Sequence, residues 1–131
     1  SAMQDYRSKD AQVDFQGCYI MKEDGENKFT VRNSSGSIAT FALDQLPGCC
    51  GTIVSYYAEV VPEFRKKGYG GALVQIRMSA ARHMLYGHML ATVIASNLDE
   101  LSLLRQHGWL ECGEYRNPKT GNIIKVMQVN L

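Results

Sequence analysis

Apolar and polar residues alternate with period two through three early stretches of the chain, residues 15–21, 28–32 and 37–43. The two intervening segments, Glu23-Asp24-Gly25-Glu26-Asn27 and Asn33-Ser34-Ser35-Gly36, carry turn-forming residues, so the pattern predicts an antiparallel meander. Pro47-Gly48 then breaks the chain ahead of a longer run, residues 51–61. There Val54, Tyr56, Ala58 and Val60 share one face, and Ile53, Ser55, Tyr57, Glu59 and Val61 share the other. Apolar groups on both faces suit a central strand, which Pro62 ends because it has no N–H for a ladder.

The period then lengthens. Leu73/Val74, Ile76/Met78, Ala80/Ala81 and Met84/Leu85 form an apolar helical stripe, with Gln75, Ser79, Arg82 and His83 turned outward and Gly87 as the stop. Residues 90–95 are almost continuously apolar, as in a strand buried on both faces. Ser96 and Asp99 have capping-box spacing for a second helix, with Leu101 and Leu104 on one face and Gly108 at its end. Residues 109–115 and 123–129 read as a terminal hairpin. Strand, helix, strand, helix implies a parallel pair joined by a right-handed crossover, flanked by antiparallel strands. The predicted class is α+β: a mixed, mostly antiparallel twisted sheet with helices on its faces, in one domain over residues 1–131. Residues 4–14 are polar without a clear period, and Ser1-Ala2-Met3 reads as a tag scar.

Charge narrows the function classes. The formal net charge is +1, which gives no general attraction to nucleic acid or anionic membrane. No apolar run approaches the roughly 20 residues that span a bilayer, and no secretory leader pattern is visible, so a cytoplasmic location is expected. Cys18, Cys49, Cys50 and Cys112 lack zinc-site spacing and are expected to be reduced, mostly buried thiols. A nucleophilic Cys49 or Cys50 would need a cationic neighbour. His83, His88 and His107 show no ligand spacing, so no metal is expected.

The chemistry gathers at residues 60–73, where a strand ends at a proline, turns through Arg65, Lys66, Lys67, Gly68, Gly70 and Gly71, and opens a helix. Such a turn offers free backbone N–H groups with a positive dipole behind them, a binding site for phosphate or pyrophosphate. It is no Walker A loop, since G-x-x-x-x-G-K-[ST] is absent. A dinucleotide G-x-G-x-x-G starting at Gly68 would need glycine where Leu73 stands.

Val60, Pro62, Arg65, Gly68, Gly70 and Leu73 fill every position of V-x-P-x-x-[QR]-x-x-G-x-[GA]-x-x-L, and this resembles motif A of the GNAT family of N-acetyltransferases. Asn97, Leu101, Leu104 and Gly108-Trp109 are similar to the family's motif B, and the resemblance covers about residues 51–131. It implies a sheet splayed open between its fourth and fifth strands, acetyl-CoA as donor, and a primary amine of a small molecule or peptide as acceptor. The oligomeric state is left open, with a homodimer as one expectation. Arg65, Lys66, Lys67, Gly68, Tyr69, Gly70 and Gly71 would hold the CoA pyrophosphate. Ala58, Glu59 and Val60 would pair with the pantetheine arm, and Asn97 would hydrogen-bond it. The sequence departs from the pattern where the family often has a catalytic Tyr, here Leu104, and where some members have a Glu, here Thr92. The N-terminal helical region is short. A base is therefore sought in Glu59, the site's candidate catalytic residue, in Tyr56 or Tyr57, or in water. The departures leave a non-catalytic acyl-CoA-binding or sensing domain as the alternative.

Overall fold

The computed structural model describes residues 18–131 apart from Asp24, Glu26, Lys66 and Lys67. The expectations for residues 1–17 and for Lys66 and Lys67 fall outside the described residues. Four strands come first: β1 (Tyr19–Lys22), β2 (Lys28–Asn33), β3 (Gly36–Gln45) and β4 (Thr52–Val60). A short 3-10 turn (Pro62–Phe64) leads to α1 (Tyr69–His83), β5 (His88–Ile94), α2 (Leu98–Gln106), β6 (Leu110–Arg116) and β7 (Ile123–Asn130). They build one seven-stranded sheet in the order β1-β2-β3-β4-β5-β7-β6. Only β4 and β5 run parallel; every other neighbouring pair is antiparallel. The predicted class, the single crossover and the terminal hairpin all stand.

The hairpin inserts its apolar strand. β7 buries Ile124, Met127 and Val129 and takes the inner place beside β5, whereas β6 carries two glutamates, a glycine and an arginine and lies at the edge. Among the described residues the core gathers on the sheet face that α1 and α2 cover: Phe29, Phe41, Ile53, Met89 and Met127 are each at most 2% exposed. Phe29 stacks on Phe41 with ring centroids 5.0 Å apart. Leu73, Val74 and Ile76 of α1 and Leu101 and Leu104 of α2 close over them, as does Trp109. The long-period stripes read in the sequence thus pack on the core face of the sheet.

Five local expectations are corrected. β5 is buried on one face only: Met89, Ala91 and Val93 point into the core, while Thr92 and Ile94 are exposed. α1 stops before Gly87. The N–H of Tyr86 donates to Ala81 and that of Leu85 to Arg82, a Schellman ending with Leu85 in left-handed backbone at φ 67° and 91% exposed, outside the apolar stripe. Ser79 is buried. The cap of α2 is Asn97, whose Oδ1 accepts from the Glu100 N–H at 3.2 Å, one residue later than the Ser96 cap. None of the four cysteines forms a disulfide, and of the four Cys18 alone is buried; Cys49, Cys50 and Cys112 are exposed.

Candidate functional site

The central feature is a gap between the two parallel strands. β4 and β5 pair at Thr52↔His88, Ile53↔Met89, Val54↔Leu90 and Ser55↔Ala91, and there the ladder ends. Both strands continue, β4 beside β3 as far as Val60 and β5 beside β7 as far as Ile94. Each is held on its outer side, and the inner backbone edge of residues 56–60 has no strand neighbour among the described residues.

A bulge causes the separation. Ala42 pairs with Tyr56 and Thr40 with Glu59, so Tyr57 and Ala58 together oppose Phe41 alone. Tyr57 takes left-handed backbone at φ 53°, and a bulge of this kind bends its strand and adds twist. It also reverses the side-chain alternation, which corrects the faces expected for residues 51–61. Leu43 pairs with Ser55 and Ala39 with Val60, so Ile53, Ser55 and Val60 lie on the core face, while Tyr56 and Glu59 share the opposite one.

The opened strands enclose a cleft of about 340 Å³ whose walls include Tyr56 and Ala58 from β4, Thr92 from β5, and Asn97 and Glu100 from α2. Asn97 stands at its rim as the helix cap. Arg77 reaches it from α1. Beyond the last residue of β4, the turn folds back on the strand: Arg65 Nε donates to the Val60 carbonyl at 2.9 Å, and its Nη2 pairs with Glu59 Oε1 at 2.7 Å. Phe64 and Tyr69 meet edge to face at 5.5 Å and brace the two ends of the turn.

Gly68 caps α1 at φ 83°, a backbone that a side chain disfavours. The N–H groups of Tyr69, Gly70 and Gly71 follow in the first turn of this 15-residue helix, where no intrahelical acceptor is available to them. At Gly70 α1 approaches α2 closely: a Cβ there would come within 2.9 Å of Leu103 Cδ1, and that side-chain tip would have to shift to admit it.

The predicted residues therefore fall into three places. Ala58 and Asn97 line the cleft, and Arg65, Gly68, Tyr69, Gly70 and Gly71 form the turn and helix start at its open end. Val60 packs against the core and offers its carbonyl to Arg65. Glu59 faces away from the cleft, beside a second depression of about 470 Å³ on the opposite sheet face, whose walls also include Lys28, Thr40 and Ala42. Tyr57 and Ala58 border both hollows. Leu104 is wholly inside the core, while Thr92 is exposed on the cleft wall. The Tyr56 hydroxyl donates to Asp44 Oδ2, and this bond raises its pKa above the ordinary tyrosine value, so at neutral pH it keeps its proton. Among the described residues no His, Cys, Asp and Glu cluster is suited to a metal ion, and no helix is long and apolar enough to cross a membrane.

Sequence reasoning missed Arg77, Ser55 and Glu100. Arg77 carried a usable signal, since it lies between Ile76 and Met78 in the middle of the buried stripe, where an arginine needs a partner.

No protein-family model matches the chain, and no curated protein does. Solved structures do. The ribosomal-protein-alanine N-acetyltransferase of Brucella melitensis superposes with a TM-score of 0.69 at 21% identity, covering 82% of this chain and 70% of that one. The ribosomal-protein-S18-alanine N-acetyltransferase of Escherichia coli gives 0.67 at 15% identity, covering 83% and 71%. The yncA protein of Salmonella typhimurium, solved with its cofactor acetyl-CoA, gives 0.67 at 18%, covering 82% and 65%. The chain has the fold of the GNAT acetyltransferases.

Proposed function

We propose that the protein transfers an acetyl group from acetyl-CoA to a primary amine. The observation that carries this reading is the unpaired edge of β4 beyond the Tyr57 bulge, opening directly onto a glycine turn and a helix N-terminus. The edge suits an extended amide-bearing chain added like a strand, and the turn suits a diphosphate. The likeness to a protein solved with acetyl-CoA supports the pairing of these two features in one ligand.

When bound, acetyl-CoA supplies an activated thioester carbonyl. The free N–H groups of residues 56–60 would pair with the pantetheine amides and polarise that carbonyl, and Asn97 would hydrogen-bond the arm from the opposite wall. Gly68 and the first-turn N–H groups of α1 would hold the diphosphate, with Arg65 beside them. The second depression meets the cleft at Tyr57 and Ala58, so an amine entering from that face would approach the carbonyl across the bulge. Glu59 borders this approach and is the proposed base, with its carboxylate held by Arg65.

One observation favours a second reading. Leu104 occupies the position where the resembled family often has its acid and is wholly buried, which suits a domain that binds acyl-CoA without turning it over. Release of free CoA thiol across a panel of polyamines, amino acids, aminoglycosides and peptides separates the two. Transfer predicts thiol release with at least one amine class and a large loss of kcat in Glu59→Gln. Binding of acetyl-CoA with no thiol release for any acceptor would favour the sensor.

A further inference from the structure

Arg77 presents a problem that the acetyl-transfer reading leaves open. Its side chain is 3% exposed, and burial pulls its pKa below the usual arginine value against the opposing influence of Glu100. Taking a guanidinium out of water is costly, and a buried ion pair often contributes no more stability than apolar residues of the same volume. Its partners explain why it is there. Nη1 donates to Ser55 Oγ at 3.1 Å, and Nη2 pairs with Glu100 Oε1 at 3.0 Å. Ser55 is the last residue of β4 that pairs with β5, the apex of the cleft. Glu100 lies in the first turn of α2, and its N–H donates to Asn97 Oδ1. One guanidinium, carried on α1, therefore joins the apex of the opened strands to the helix start that sets the rim.

We infer that Arg77 is a positioning residue for the donor cleft, fixing the distance between the bulged strand and the Asn97 cap through Ser55 and Glu100. The inference rests on the acetyl-CoA reading for its consequence, but its geometry is made by this chain's own side chains. Arginine suits the place because its planar fork holds two partners in fixed directions, whereas a lysine ammonium is a compact point charge on a flexible stem.

The experiment compares wild type with Arg77→Met, Arg77→Lys and Arg77→Met/Glu100→Met. Its readouts are the Tm without ligand, acetyl-CoA affinity by calorimetry, and amide hydrogen exchange in the first turn of α2. Arg77→Met alone should melt lower, because it strands Glu100. The double variant should recover a Tm near wild type yet bind acetyl-CoA about tenfold more weakly, a coupling of ordinary size for contacting groups. In steady state, KM for acetyl-CoA should rise while kcat at saturation holds. Arg77→Lys should fold and show the same KM defect. The first turn of α2 should exchange faster in the double variant. Wild-type affinity in the double variant would overturn the inference and leave Arg77 a purely structural group. Should wild type itself not bind acetyl-CoA, the functional reading fails, and the inference is judged on exchange alone: unchanged protection of the α2 first turn would overturn it.

Discussion

Tyr57 and Leu85 both hold left-handed backbone, at φ 53° and 67°, and both side chains are largely exposed, 78% and 91%. Each conformation costs about 1–2 kcal/mol for a residue with a Cβ. At Leu85 that cost goes into ending a helix: the Schellman bonds to Ala81 and Arg82 need a left-handed residue there, and glycine would serve better. At Tyr57 it goes into opening the sheet. The bulge ends pairing with β5 at Ser55, turns Glu59 to the far face and leaves an unpaired strand edge. Strain at a helix end is incidental to function, whereas strain at a bulge beside a cleft belongs to the site.

Removing the bulge should have the largest effect. Deleting Tyr57 would restore regular alternation along β4, with Ala58 opposite Phe41, and let the strand extend its ladder with β5. The expected outcome is a folded protein, by circular dichroism, whose acetyl-CoA affinity is down by more than about 100-fold, roughly 2.7 kcal/mol. Retained affinity would place the donor elsewhere. Next comes Tyr57→Gly, which relieves the same strain but frees the backbone at the bend; affinity should fall severalfold while the Tm holds or rises. Leu85→Gly completes the comparison. Its stability should rise by about 0.5–1 kcal/mol, net of the entropy of the glycine, a Tm gain of about 2–4 °C, with acetyl-CoA affinity unchanged.

The smallest effect concerns the neighbour of the bulge. Asp44 raises the folded-state pKa of Tyr56, so the neutral phenol is the form that the fold favours. Its stabilising contribution is full below the ordinary tyrosine pKa and is lost as pH rises through the raised value. Tyr56→Phe should therefore be less stable than wild type at neutral pH, with the two denaturation midpoints converging in strong alkali.

The contrast also explains what could be read along the chain. The turn from Pro62 to Gly71 was legible because its demands are local: a donor-free residue to end a strand, a glycine for φ 83°, and a helix start. The Asn97 helix was legible for the same reason, although the cap proved to be Asn97 and not Ser96. Nothing in Tyr56-Tyr57 announces a bulge, because its cause lies in the register of β4 against β3, which local composition does not encode. The faces of β5 were misjudged since an apolar run does not say which side a helix will cover. Leu85, 91% exposed, takes the left-handed place that glycine would fill with less strain, and nothing in the sequence marks it.

The central claim is that the opened strands and the glycine turn together hold acetyl-CoA. Thermal unfolding with saturating acetyl-CoA, CoA, NAD or ATP tests it most directly. At about 100 times its Kd a ligand adds about 2.7 kcal/mol to the native state. The Tm should rise with both CoA species and stay unchanged with NAD or ATP. No response to either CoA species would contradict it.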